Sequence, residues 1–196
     1  MRKFKTEKRI AKITKAVKSR QFSLKVVLEN IHDPHNVSAI FRTCDAVGVP
    51  KITLLYNRET FPKISKTSSA SSKKWVDYEK YSDVKECFDQ LHKDGYKIYA
   101  SAISENAKNL YDLNLTEKVA VVMGNEHRGV SEEVMDLADE ILFIPMRGMI
   151  QSLNVSVATA VVLFEAQRQR AEKGMYNNSE LAECDLEKLI DEWCEK

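Results

Sequence analysis

Arg42 is the residue of this chain best suited to chemistry on an anion. It falls inside a stretch where Val37, Ile40, Phe41, Cys44 and Val47 recur at helical spacing. An arginine among apolar neighbours calls for an anionic partner. Its guanidinium stays charged, which makes it a poor base but a good bidentate ligand for a phosphate or for an oxygen developing negative charge. The plainer alternative is a snorkelling side chain, or one paired with a neighbouring acid. Asn36, six residues earlier, opens the same helix and is a candidate cap. Glu126 lies in the short polar run Gly124-Asn125-Glu126-His127-Arg128-Gly129, and Ser152 and Asn154 stand where a further helix begins, as an N-cap pair or as contacts to a site. His32 and His35 flank Asp33, but no third ligand cluster lies nearby in sequence, so a capping turn is favoured over a metal and no metal is expected. Neither G-x-G-x-x-G nor G-x-x-x-x-G-K-[ST] is present, and Ser152 has no G-x-S-x-G elbow around it, which argues against dinucleotide, P-loop and hydrolase chemistry.

These residues sit in three loops, 30–42, 124–129 and 145–154, and each loop follows an apolar run that reads as a strand. Residues 24–28 and 52–56 flank a helix that ends at Gly48, which makes a βαβ unit and implies a parallel sheet. The spacing predicts a helix over 84–91 closed by Asp94-Gly95, then strands over 96–103, 119–123 and 141–144. Ser131 caps a helix after the second loop, and 155–170 forms a long helix after the third. Residues 57–75 have no clear period and read as a long mobile loop, 110–115 as a connection, and 179–193 as a last acidic helix. Five or six strands alternating with helices define an α/β fold, mostly a parallel sheet with helices on both faces. In such sheets ligands lie beyond the carboxyl ends of the strands, so the three loops can converge on one site.

The 196 residues carry 30 Lys and Arg against 29 Asp and Glu, but the charge is unevenly spread. Residues 1–25 hold ten basic residues and the single acid Glu7, whereas 172–196 hold eight acids against three lysines. A basic head of this kind points to a polyanion, and Phe4, Ile10, Ile13 and Val17 suggest that it forms a short amphipathic helix. No apolar run is long enough to cross a membrane, and the N-terminus lacks the apolar segment of a signal peptide, so a cytoplasmic protein with no membrane partner is expected. Cys44, Cys87, Cys184 and Cys194 form no C-x-x-C pair and read as reduced thiols.

Asn30-Ile31-His32-Asp33-Pro34-His35-Asn36 through Arg42 to Gly48 resembles the first motif of the SpoU/TrmH family of RNA ribose 2′-O-methyltransferases, in the SPOUT class. Val122 to Val130 resembles the second motif and Ile144 to Ala158 the third, in the same order and with similar spacing across 24–170. The resemblance implies S-adenosylmethionine (AdoMet) as methyl donor, a homodimer with its site at the subunit interface, and a deep C-terminal trefoil knot. General topology argues against knots, so that expectation rests on the resemblance alone. It further implies that Arg42, Asn36, Glu126, Ser152 and Asn154 carry the catalysis, with Glu126 orienting Asn36 or Arg42. AdoMet is then held by Met123, Gly124, Asn125, Leu142, Ile144, Met149, Ile150, Ser152 and Leu153, much of the contact coming from backbone groups. Family members that modify guanosine 18 of the tRNA D-loop carry short extensions at both ends, as this chain does, so tRNA is the expected substrate. Ribosomal RNA, the tRNA wobble position and noncatalytic RNA binding are the alternatives. The expected division is a basic extension over 1–23, a methyltransferase domain over 24–171 and an acidic extension over 172–196, with Arg9, Lys12, Arg20, Arg168 and Arg170 on RNA phosphate.

Overall fold

Alternation along the first strand decides which helices cover which face of the sheet. The computed structural model describes every residue except Met1, Lys3, Phe4 and 62–73. In β1 (Leu24–Glu29), Leu24, Val26 and Leu28 point to one side. There they pack with Val37, Ile40, Phe41 and Cys44 of α2 (Pro34–Val47) and with Val162, Leu163 and Ala166 of α5 (Val155–Glu172). Val27 points to the other side, where Val84, Cys87, Phe88 and Leu91 of α3 (Val84–Lys93) and Val134 of α4 (Glu132–Leu137) build a second cluster. Burial on both faces explains why the central strands read as unbroken apolar runs.

The remaining strands are β2 (Lys51–Leu55), β3 (Asp77–Tyr81), β4 (Lys97–Ser101), β5 (Lys108–Asn109), β6 (Val119–Met123) and β7 (Glu140–Phe143). They lie in the order β3-β2-β1-β6-β4-β7-β5, and every neighbouring pair is parallel. Seven strands therefore replace the five or six expected. The two additions are edge strands that bury no apolar run. β3 is Asp-Tyr-Glu-Lys-Tyr, held by its ladder to β2 and by Glu79, which accepts from Lys25, Lys51 and Thr53 at 2.9, 3.1 and 2.8 Å. β5 has only two residues. The expected 57–75 loop lies mostly outside the described residues.

β1 and β6 are adjacent at the centre, with β2 on one side and β4 on the other. The loops leaving β1 and β6 thus open at the switch in strand order, where a crevice forms. α2 starts at Asp33, whose side chain accepts from the His35 N–H at 2.8 Å, and stops at Gly48 in the left-handed region, φ 88°.

The two chain ends pack on each other. Ile13 and Val17 of α1 (Glu7–Lys18) meet Leu186, Ile190, Trp193 and Cys194 of α6 (Glu183–Glu195) in a third cluster, with Trp75 against Trp193 at 4.8 Å. Arg2 bonds Asp191 and Glu187 across the pair at 2.7 and 2.6 Å. α6 begins at Glu183, later than the expected 179, because the Ser179 hydroxyl accepts from the Leu181 N–H in a local turn. Among the described residues, no helix is long and apolar enough to cross a membrane.

Candidate active site

The three loops are joined by one chain of hydrogen bonds. Glu126 Oε1 accepts from Asn36 Nδ2 at 2.8 Å, Asn36 Oδ1 accepts from Asn154 Nδ2 at 3.0 Å, and Asn154 Oδ1 caps α5 by accepting from the Ser156 N–H at 2.8 Å. Glu126 also accepts from the His32 and Asp33 N–H groups, at 2.9 and 3.1 Å, so its carboxylate sits against the N-terminus of α2. Burial pushes the Glu126 carboxyl upward, but the bonds from Asn36, His32 and Asp33 outweigh it and hold it below its ordinary value. An anion held by three donors fixes the first loop against the second. The Asn36 amide, with both ends engaged, is locked in one orientation.

Beside this relay lies a groove of about 510 Å³. Met123, Ile144 and Leu153 supply apolar walls, together with Ala102 and Ile103 after β4, while Glu126 and Ser152 supply polar rims. The volume and the mixture of apolar wall and few polar groups suit a small-molecule ligand the size of a nucleoside. Gly124 lines the groove, and a Cβ there would lie 2.1 Å from Gly129 C and Val130 N, so glycine is what lets the 124–130 loop close on itself. At Gly148 a Cβ would meet nothing within 4 Å. Asn125 belongs to the lining, yet its side chain is spent on the loop. Its Oδ1 accepts from the His127 and Arg128 N–H groups at 2.9 and 3.3 Å, and its Nδ2 donates to the Asn30 carbonyl at 2.7 Å.

Of the nine expected cofactor contacts, six line the groove: Met123, Gly124, Asn125, Ile144, Ser152 and Leu153. Leu142 does not, being core, with its carbonyl accepting from the Ala102 N–H at 3.0 Å. Met149 and Ile150 are 98% and 71% exposed and stand away from the groove in this chain. Asn154, not Ser152, is the cap of α5. Arg42 is exposed and makes no hydrogen bond or ion pair among the described residues, whereas Asn36 is buried. Six residues along a helix turn about 600°, which puts the two side chains about 120° apart. One copy of the chain therefore does not bring Arg42 to the relay.

The RNA-facing residues also divide. Arg9 and Lys12 are exposed on α1, and Arg168 is exposed but engaged by Glu165 and Glu172 at 2.8 and 2.7 Å. Arg20 and Arg170 are not placed to touch RNA. Arg20 is 2% exposed, paired with Asp45 and stacked 4.8 Å from Trp193. Arg170 is 0% exposed and donates to the carbonyls of Leu115 and Glu117, at 2.9 and 2.7 Å, and to the Ser23 hydroxyl at 2.7 Å. Each gathers backbone acceptors that would otherwise be buried without donors, a role that charge patterning cannot distinguish from phosphate binding. Glu59 was missed: it pairs with Arg128 and lies 3.2 Å from His32, and nothing in a stretch without period signals it.

A model of the SpoU rRNA Methylase family matches residues 23–164. A tRNA (guanosine(18)-2′-O)-methyltransferase of Thermus thermophilus is 44% identical over 191 residues, 97% of this chain and 98% of that protein. The crystal structure of an Aquifex aeolicus TrmH/SpoU tRNA modifying enzyme superposes with a TM-score of 0.89 at 40% identity, covering 96% of each chain. An AdoMet-bound rRNA methyltransferase from Sinorhizobium meliloti superposes at 0.68 and 25% identity, covering 79% of this chain and 59% of that one. With three motif loops joined at the carboxyl ends of a parallel sheet and a family model spanning that same region, the chain belongs to the SpoU rRNA Methylase family.

Proposed function

We propose that the protein transfers a methyl group from AdoMet to the ribose 2′-oxygen of guanosine 18 in tRNA. The observation that carries this reading is the relay from Glu126 through Asn36 to Asn154 at the edge of the groove. Family relatives that match along nearly their whole length, extensions included, favour tRNA over ribosomal RNA. AdoMet fits the groove on its chemistry: Met123, Ile144 and Leu153 offer apolar surface to an adenine, and the 124–130 and 145–154 loops offer backbone donors and acceptors. When bound there it supplies an electrophilic methyl group on a sulfonium. Ser152 and Glu126 bound the polar side of the same space.

Arg42 completes the site from a second copy of the chain. It points away from Asn36 within one copy, and Val157 and Phe164 of α5 are exposed apolar side chains available to a partner. In that homodimer the guanidinium binds the attacking 2′-oxygen or its neighbouring phosphate and stabilises negative charge as the hydroxyl proton passes to solvent water and the oxygen takes the methyl group. Asn36, held by Glu126, positions the ribose. The basic face of α1, with Arg9 and Lys12, holds the tRNA backbone together with Arg168, and residues 24–171 form the methyltransferase domain between the two extensions. The deep C-terminal trefoil knot that the family resemblance implies belongs to this reading, formed by the segment that ends in α5.

The test is to mix the protein with radiolabelled AdoMet and, separately, unmodified tRNA and ribosomal RNA, and to map the product. Label as 2′-O-methylguanosine at position 18 of tRNA is the expected result. Label confined to ribosomal RNA, or to a base, refutes it.

A further inference from the structure

A second cavity, about 330 Å³, lies across the 125–130 loop from the groove and shares Asn125, Arg128 and Val130 with it. Its wall includes Glu29, the last residue of β1, which is 2% exposed. One carboxylate oxygen of Glu29, Oε2, accepts from the Ser131 N–H at 2.9 Å. The other has no partner among the described residues. Arg58, exposed and also without a side-chain partner among the described residues, lines the same cavity. The cavity is built rather than incidental. Asn30, at the positive φ of 50°, accepts from the Arg58 and Glu59 N–H groups, each at 3.2 Å, and donates to Asn57 at 2.8 Å, so it ties the 57–59 segment, and with it Arg58, to the cavity wall beside Glu29.

A buried carboxylate with a free oxygen needs a donor, and the neighbouring guanidinium needs an acceptor. A simple anion is disfavoured by Glu29 and by Glu132 on the same wall, and a metal cation by Arg58 and Arg128. The ligand must therefore present donors on one edge and acceptors beside them. Among the RNA bases, guanine alone carries two adjacent donors, N1–H and N2–H₂, next to the acceptors O6 and N7 that arginine reads. We propose that this cavity receives the guanine of the methylated nucleotide, with Glu29 accepting from N1–H and N2–H₂ and Arg58 donating to O6 and N7. Glu29 is then a specificity-determining residue, and the shared 125–130 wall lets a nucleotide unstacked from the RNA set its ribose in the groove and its base in the cavity. This rests on the methyl transfer proposed above.

The experiment compares full-length tRNA carrying guanosine or inosine at position 18, since inosine lacks only the N2 amino group. Wild type and Glu29→Gln are each assayed for kcat/KM, with the product mapped. The wild type is expected to prefer guanosine by about tenfold or more, because a site built for a donor rejects an analogue without it. Glu29→Gln, which keeps an acceptor for Ser131, is expected to lose most of that preference. A variant weakened only in stability would slow both substrates alike and leave the ratio intact. Equal wild-type rates on guanosine and inosine, or an unchanged ratio in Glu29→Gln, overturn the assignment while leaving the methyl transfer standing. No 2′-O-methylguanosine from the wild type overturns both.

Discussion

Replacing Glu126 by glutamine tests the relay at its anchor. Both carboxylate oxygens are in use: Oε2 takes the His32 N–H, and Oε1 takes the Asp33 N–H and the Asn36 amide. A glutamine has one oxygen and one NH₂, so whichever way it turns, a donor faces a donor and at least one charge-assisted bond is lost. A hydrogen bond to a charged group is worth about 1.5–3 kcal/mol. Removing the anion from the N-terminus of α2 costs about 0.3–1 kcal/mol more. Partial exposure of the site lowers both, so Glu126→Gln should lose about 2–3 kcal/mol, or roughly 5–10 °C of Tm at this chain length. The pH dependence identifies the cause. The folded carboxyl sits below its ordinary 4.5, so its contribution is present above that value and is lost as pH falls through the lowered one. Urea unfolding of wild type and variant should therefore differ by a constant amount through the neutral range and converge as pH falls through the lowered carboxyl value, where a protonated Glu126 resembles glutamine. In steady-state assays kcat should fall while KM for tRNA changes little, since Asn36 is released but the basic surface is intact. A variant as stable as wild type at pH 7, or a stability gap that persists unchanged at low pH, would refute the reasoning.

Four further variants have expected outcomes. Arg42→Ala should abolish methyl transfer while changing stability by less than about 0.5 kcal/mol, because the side chain is exposed and has no hydrogen bond or ion pair among the described residues. Mixed with Asn36→Ala, it should recover about one quarter of wild-type activity, since a symmetric dimer then holds one complete site; no recovery would place both residues in one copy. Gly124→Ala should destabilise by about 3 kcal/mol or more, because its Cβ meets backbone of Gly129 and Val130 at 2.1 Å; urea unfolding at the wild-type midpoint would contradict that closure. Lys12→Ala should leave Tm unchanged and lower the salt dependence of tRNA binding by about one unit of log–log slope. Arg170→Met should do the reverse, costing about 3–5 kcal/mol with the slope unchanged, and a changed slope there would restore Arg170 to the RNA surface.

The helices and central strands were legible because their signals are local. Alternation and helical spacing report burial directly, and Gly48 and Ser131 mark ends by backbone chemistry that needs no tertiary partner. By contrast, α2 is capped by Asp33 and not by the expected Asn36, which lies inside the helix and turns its amide to Glu126 instead. The two edge strands were not legible. β3 and β5 exist through ladder bonds to their neighbours, and a polar run in a parallel edge has no periodicity to read.

Site residues followed the same division. Residue types and the placing of three loops after strands pointed to one shared site, and the resemblance implied Asn36, Glu126 and Asn154, with Arg42 and Ser152, as its catalytic set. The three-dimensional structure decided the rest. It separated Arg42 from Asn36 by a rotation around one helix, and it gave Gly124, which lines the groove as expected, a loop closure that requires glycine. It also withdrew Arg20 and Arg170 from the RNA surface into the interior. A charge in a sequence is a quantity without a direction. Only packing assigns that direction, because backbone carbonyls buried between elements distant in the chain compete with phosphate for the same guanidinium.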